Sequence, residues 1–105
     1  MKPIRSPKYL AWIRSFRCVV CDAPAPSHAH HYGRGREAGG MGLKPDDYRT
    51  VPLCWRCHGE YHQKGSEAFG EATGFDHTAI IEIQLKFLTL YTSHMEETGS
   101  PPCPL

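Results

Sequence analysis

Two Cys-x-x-Cys pairs constrain the fold of this chain more than any other feature of its sequence. Cys18 and Cys21 form the first pair, and Cys54 and Cys57 form the second. A two-residue spacer lets both sulfurs of a pair turn toward one ion, and four thiolates suit tetrahedral Zn²⁺. Two redox dithiols or buried free cysteines are the alternatives, and neither accounts for both pairs. The spacing therefore predicts a structural zinc ion, which would staple the small core of a 105-residue chain.

The location of the protein is also suggested by what the sequence lacks. The basic N-terminus has no long apolar stretch behind it, so it does not resemble a secretory signal. No apolar run reaches the length of a membrane span. We therefore expect a cytoplasmic protein with no membrane partner, in a compartment where paired cysteines indicate metal rather than disulfides. Cys103 lies in a proline-rich segment, 99–105, which we expect to be a disordered tail.

Charge is unevenly distributed although the net charge is only +1. Residues 1–21 carry five basic and no acidic side chains, whereas residues 66–105 carry one lysine and six acidic side chains. This asymmetry indicates either one face for a polyanion or two solvated helices of opposite sign. On the first interpretation, Arg5, Lys8 and Arg14 bind the phosphate groups of DNA.

Hydrophobic periodicity and helix caps predict a small α+β protein, with a single domain over residues 1–98. We expect an N-terminal helix over 6–17, because Ser6 and Pro7 are typical of a helix start. The core of residues 18–65 should contain strands at 28–32 and 48–53 and a helix at 54–63, with a further helical piece at 66–73. Asp76 should cap a long helix over 76–97. Its predicted buried face comprises Ile80, Ile81, Leu85, Phe87, Leu88, Tyr91 and Met95.

The segment of residues 33–42 contains five glycines and is expected to be a flexible loop. Arg34 and Arg36 lie in it, so the loop could let the backbone approach a nucleic-acid strand closely. A plain flexible connector explains the composition equally well.

Five histidines lie inside the frame set by the cysteines. They are His28, His30, His31, His58 and His62. The i, i+4 spacing of His58 and His62 puts both on one face of a helix. On a strand, His30 and His31 face opposite sides, so one can bind metal while the other points toward substrate. The alternative is a noncatalytic zinc module with a polar histidine surface, and His28 fits either a surface or a ligand role.

In the order and spacing of these residues, the chain resembles the HNH, or ββα-metal, nucleases. The matching residues are Cys18-x-x-Cys21, His30-His31, and the run from Pro52 through Cys54 and Cys57 to His58 and His62. Their order is similar to phage junction-resolving HNH enzymes with a four-cysteine zinc, and the His-x-x-x-His ending is similar to the nuclease colicins. The resemblance implies a treble-clef-like ββα-metal core. It implies that His30, His58 and His62 hold the catalytic metal and that His31 is the general base.

A closer resemblance, over residues 7–91, is to the phage recombination-enhancement nucleases described as RecA-dependent. It is carried by segments 7–14, 39–47 and 51–54. It implies a phage or prophage protein acting on DNA in recombination or repair, with a recombinase filament as a candidate partner. The resemblance to HNH nucleases implies an asparagine that orders the loop and the general base. This asparagine should fall at position 49, where the chain has Arg49. Arg49 could contact a phosphate in the catalytic site, or backbone groups could order the loop instead.

Together these features predict a metal-dependent DNA endonuclease. Its second ion would be Mg²⁺, Mn²⁺ or another divalent transition metal. Two other classes remain open at this point. One is a zinc-stabilised DNA-binding module without catalysis, and the other is a factor whose acidic C-terminal helix recruits a recombinase.

Overall fold

The computed structural model describes residues 4–32 and 45–99, which form a two-stranded sheet and four helices. In chain order the elements are α1 (Pro7–Arg14), β1 (His28–His31), β2 (Thr50–Leu53), α2 (Trp55–Lys64), α3 (Ser66–Thr73) and α4 (His77–Thr98). The expected small α+β class is confirmed. Arg34, Arg36 and Cys103 lie outside the described residues, as does most of the expected tail. None of the described helices combines the length and apolar character needed to cross a membrane.

The two strands pair antiparallel and are shorter than the sequence indicates. His28 lies opposite Leu53, and His31 lies opposite Thr50. One more backbone hydrogen bond, from Tyr32 N to Arg49 O at 3.0 Å, extends the pairing past β1. Residues 46–49 do not continue β2 because they form a turn, in which Arg49 N donates to Asp46 O at 2.9 Å. The expected strand over 48–53 therefore begins two residues late.

Helix α1 begins where it was expected and ends early. The Ser6 side chain caps it by accepting from Tyr9 N, and Pro7 occupies its first turn. The helix ends at Arg14, three residues before the expected end. Ser27 explains the difference, because its N–H donates to Arg14 O at 2.8 Å and its hydroxyl donates to Phe16 O at 2.7 Å. The segment leading into β1 thus binds carbonyls at and beyond the end of α1.

Helix α4 is capped by Asp76, as the sequence predicts, and closes at Gly99 in a left-handed conformation. Ile80 and Tyr91 on the predicted apolar face are buried, but Leu85 is 58% exposed, so its assignment to the core is wrong. The neighbouring Gln84 is buried in its place, and its amide donates to Tyr32 O at 3.0 Å. The helix turns this amide inward, where it satisfies a buried backbone acceptor.

The buried side chains form two clusters. The sheet lies between the helices that contribute to them. One cluster joins β2 to α2, α3 and the first turns of α4, and includes Leu53, Tyr61 and Phe69. The other joins α1 to the later turns of α4 through a group of aromatic rings, including Trp12 and Tyr91. All four residues of β2 are buried. Because β2 is anchored in the core, its pairing with β1 holds the histidines of β1 in position.

Candidate metal centres

The four paired cysteines come together at one place. Their sulfur atoms lie within 4.8 Å of one another, and Cys21 Sγ is 3.5 Å from Cys54 Sγ. Cys21 is exposed, whereas Cys18, Cys54 and Cys57 are buried. A compact set of four sulfurs is the ligand set that a tetrahedral structural metal requires. The group can therefore hold a metal ion such as zinc.

Local backbone structure explains why the two pairs meet. The first pair lies on a tight turn in which Asp22 N donates to Cys18 O and Cys18 N donates to Ala23 O. Cys54 caps the start of α2, and its sulfur accepts from Cys57 N at 3.4 Å. A hydrogen bond from Val19 N to Pro52 O, 3.1 Å long, ties the first turn to β2. The end of β2 thus places the second pair beside the first.

The thiols differ in acidity within this group. A hydrogen bond from the Ala23 backbone is the main reason that the pKa of Cys21 falls to about 6. Burial raises the pKa of Cys57 well above its usual range. A bound cation favours the thiolate form of every ligand and so removes the cost of burying these sulfurs as anions. The donor set therefore fits a cation such as Zn²⁺.

Three histidines form a second cluster between the sheet and α2. His30 projects from β1, and His58 and His62 project from successive turns of α2. A ring nitrogen from each lies within 4.8 Å of the other two, and His58 Nε2 is 3.0 Å from His62 Nε2. His30 is only 1% exposed, and neither of its ring nitrogens has a hydrogen-bond partner among residues 4–32 and 45–99. Since buried polar atoms are almost always paired, one of these nitrogens is suited to bind an ion.

The surroundings of His30 favour its neutral form. Burial is the main reason that its pKa falls to about 3, and the nearby rings of His58 and His62 lower it further. The His30 ring lies against the Tyr61 ring, with centroids 4.2 Å apart. A histidine must be neutral to bind metal, and His30 is already in its neutral form near neutral pH.

His31 lies on the other side of β1 from this cluster, as strand alternation requires. Its Nε2 atom is 2.9 Å from Oδ1 of Asp47, a carboxylate that is itself only 3% exposed. Asp47 also accepts from Ser6 N at 2.7 Å and from Arg5 Nη1 at 3.1 Å. Burial raises the pKa of Asp47, but the hydrogen bonds from His31, Ser6 and Arg5 outweigh it and hold the pKa below its ordinary value. Asp47 is therefore an ionised partner for His31.

Arg49 was expected in the catalytic site, and the structure places it at the junction of the turn and β2. It lines a groove with Asp46 and Tyr48, against the Leu85 and Leu88 side chains of α4. Its backbone carbonyl accepts a hydrogen bond from Tyr32 N, in the turn before β2.

The expected DNA-binding residues of the N-terminal segment have different surroundings. Lys8 and Arg14 are exposed on α1. Arg5 is half-exposed, but its guanidinium donates to Pro45 O at 2.7 Å as well as to Asp47. Arg5 therefore anchors the start of the described chain, whereas Lys8 and Arg14 present positive charge on the exposed face of α1.

Sequence reasoning gave no role to two side chains that belong to these sites. Asp47 contacts His31 from 16 positions further along the chain, and no periodic signal marks such a contact. His28 lies with its Nδ1 atom 3.0 Å from Nδ1 of His58. Its i, i+2 spacing from His30 on a strand is a signal that could have placed both histidines on one side.

Comparison with known proteins gives a family but no activity. The chain is 40% identical over 55 residues to the Escherichia coli K12 protein named "Uncharacterized protein YdfU". The match covers 52% of this chain and only 15% of YdfU, so the chain spans a small part of that relative's length. No solved structure matches the chain. The model of the family "Protein of unknown function (DUF968)" matches residues 1–89, and the chain belongs to this family.

Proposed function

We propose that this protein is an HNH-type metal-dependent endonuclease that hydrolyses phosphodiester bonds in DNA, with zinc bound to its four clustered cysteines. The observation that carries the proposal is the buried imidazole of His30, which lies beside His58 and His62 and has no hydrogen-bond partner in the described part of the chain. The order of β1, β2 and α2 is consistent with a ββα-metal core, and it supports the resemblance drawn from the sequence. Polar groups in such a setting are typical of catalytic sites.

In this proposal His30, His58 and His62 hold a divalent cation such as Mg²⁺ or Mn²⁺. The cation, when bound, would offset negative charge on the phosphate and on the leaving oxygen. Three imidazoles favour transition metals in affinity, whereas Mg²⁺ is abundant in cells.

His31 is the proposed general base, and its hydrogen bond to Asp47 defines the form of its ring. An ionised carboxylate only accepts, so Nε2 of His31 must carry the proton that faces Asp47 Oδ1. Nδ1 of His31 then has the lone pair with which to take a proton from water. Asp47 also holds the ring in place, which is the role a third group has in a catalytic triad. In this chain Asp47 thus supplies the ordering that the family resemblance assigns to the asparagine replaced by Arg49.

The proposed substrate is DNA, bound through exposed basic side chains. Lys8 and Arg14 on α1 would bind phosphates, and the sequence adds Arg34 and Arg36. A phage or prophage setting in recombination or repair, with a recombinase filament as partner, and a cytoplasmic location are proposed from the sequence alone.

Plasmid nicking measured together with calorimetric Mn²⁺ titration tests this function. We expect His31→Ala to keep the second ion while cleavage falls on the order of 10² to 10⁴, the usual effect of losing a general base. His58→Ala removes a ligand, so both metal affinity and cleavage should fall, with partial recovery in excess Mn²⁺. His94→Ala, at a histidine late in α4, is the matched control.

A noncatalytic zinc-stabilised DNA-binding module is the second candidate. The exposed basic residues of α1 favour it, because they need no metal chemistry to bind phosphates. It replaces the nuclease if the wild-type protein binds DNA but does not nick it with Mg²⁺ or Mn²⁺. If His31→Ala and His58→Ala both nick DNA at the wild-type rate, the proposed catalytic roles are also rejected.

A further inference from the structure

His28 is the histidine for which the proposed mechanism has no use. It lies on β1 two residues before His30, with an exposed ring. Its Nδ1 atom is 3.0 Å from Nδ1 of His58, and the two rings meet nearly at right angles, with centroids 5.2 Å apart. This distance is that of a hydrogen bond between two ring nitrogens.

The ring of His58 is therefore engaged on both of its edges. Its Nε2 atom lies 3.0 Å from Nε2 of His62, and its Nδ1 atom faces His28. The two nitrogens of an imidazole point away from each other, so only one of them can bind a given ion. The edge shared with His62 is the one that belongs to the three-histidine cluster.

Metal chemistry then determines the proton on the opposite edge. A neutral histidine that binds metal through Nε2 carries its proton on Nδ1 and needs an acceptor there. A carboxylate, backbone carbonyl or water usually supplies this acceptor and fixes both the tautomer and the ring orientation. His28 Nδ1 lies at hydrogen-bonding distance from that proton.

We propose that His28 is a positioning residue of the histidine metal site, in which its Nδ1 accepts a hydrogen bond from His58 Nδ1–H and directs His58 Nε2 toward the ion. The inference rests on the metal site of the proposed function. His28 is not a fourth ligand to that ion, because it lies on the edge of His58 opposite the edge that faces His62.

Mn²⁺ titration of the zinc-loaded protein by calorimetry tests the role of His28. We expect His28→Ala to weaken Mn²⁺ binding by roughly 10- to 100-fold, the scale seen when an outer partner of a ligand is removed. The stoichiometry should remain one Mn²⁺ per histidine site. His28→Asn should recover much of the affinity, since its amide oxygen can accept at the position of Nδ1. His94→Ala is the control, and the melting temperature before Mn²⁺ addition should be the same in every variant.

A second readout follows the proton itself. With diamagnetic Zn²⁺ at the histidine site, ¹⁵N spectra of the histidine rings should show His58 protonated at Nδ1 in the wild type. A His58 proton on Nε2, or unchanged Mn²⁺ affinity in His28→Ala, would overturn the positioning role alone. A metal-bound ring nitrogen of His28 in the same ¹⁵N spectra would instead make His28 a ligand and also overturn the positioning role. A wild-type protein that binds no ion at these histidines overturns both this inference and the proposed metal site, whereas normal metal binding without DNA nicking overturns only the nuclease.

Discussion

Nε2 of His31 lies 2.9 Å from Oδ1 of Asp47, and this hydrogen bond joins β1 to the turn that precedes β2. The same carboxylate accepts from Ser6 N, the residue that caps α1, and from the Arg5 guanidinium. One buried side chain therefore connects the proposed base to the N-terminal segment that leads into α1. The position of His31 depends on a residue outside the histidine motif.

Asp47→Asn should impair DNA cleavage mainly through kcat. The amide cannot accept from three donors as the carboxylate does, so His31 would lose its fixed tautomer and orientation. We expect a loss of at least about tenfold, the scale of removing an outer hydrogen-bond partner, with KM and Mn²⁺ affinity nearly unchanged. Asp46→Asn is a matched control because Asp46 also anchors the N-terminal segment, through Ile4 N at 2.6 Å, without contacting His31. Wild-type kcat in Asp47→Asn would contradict the positioning role.

The pKa of Asp47 also predicts a pH dependence of stability. Its folded-state pKa lies below the ordinary value of 3.8, so the ionised form is favoured by folding. The corresponding stabilisation is complete above the unfolded pKa and is lost as pH falls through that value toward the folded pKa. Asp47→Asn should thus lower the free energy of unfolding at pH 7. Below about pH 4 the free energies of unfolding of the variant and the wild type should become more similar. Urea unfolding at several pH values measures this. If the difference in the free energy of unfolding between wild type and variant does not change with pH, the predicted role of Asp47 is contradicted.

Removal of one zinc ligand should prevent stable folding. Structural zinc supplies on the order of 10 kcal/mol of binding energy in small domains, comparable to the entire stability of a typical domain. We expect one zinc per chain in the purified wild type and loss of both zinc and cooperative unfolding in Cys54→Ser, since Cys54 is also the cap of α2. Cys103→Ser changes a cysteine outside the two pairs and is the control. Folded wild-type protein without zinc in elemental analysis would refute the structural role.

Features that depend on local chemistry could be predicted from the sequence. The caps at Ser6 and Asp76 and the short helix Ser66–Thr73 follow from neighbouring residues alone. The convergence of the cysteines followed from their paired spacing. The grouping of His58 with His62 also followed, because i, i+4 residues share a helix face whatever surrounds them.

Features that depend on residues distant in the sequence could not be predicted in this way. Helix α1 ends at Arg14 because Ser27 binds its carbonyl, and α4 buries Gln84 rather than Leu85 because Tyr32 O needs a donor. The contact between His31 and Asp47 likewise joins residues that are 16 positions apart in the sequence. These three hydrogen-bonded pairs leave no periodic pattern in the sequence. Each one forms because the packing of other elements brings a donor and an acceptor together.

Neutralising Lys8 and Arg14 should weaken DNA binding without disturbing the His31–Asp47 pair. Both side chains are exposed on α1, whereas Arg5 is left unchanged because it binds Asp47. Each lost phosphate contact should reduce the slope of log K against log salt by about 0.9 on duplex DNA, equally for every sequence. Fluorescence anisotropy at several salt concentrations measures this for the double variant Lys8→Gln, Arg14→Gln. Lys86→Gln, at an exposed lysine of the acidic C-terminal helix, should leave the slope as in wild type because its neighbours repel phosphate. If the double variant keeps the wild-type slope, the basic face of α1 does not bind DNA.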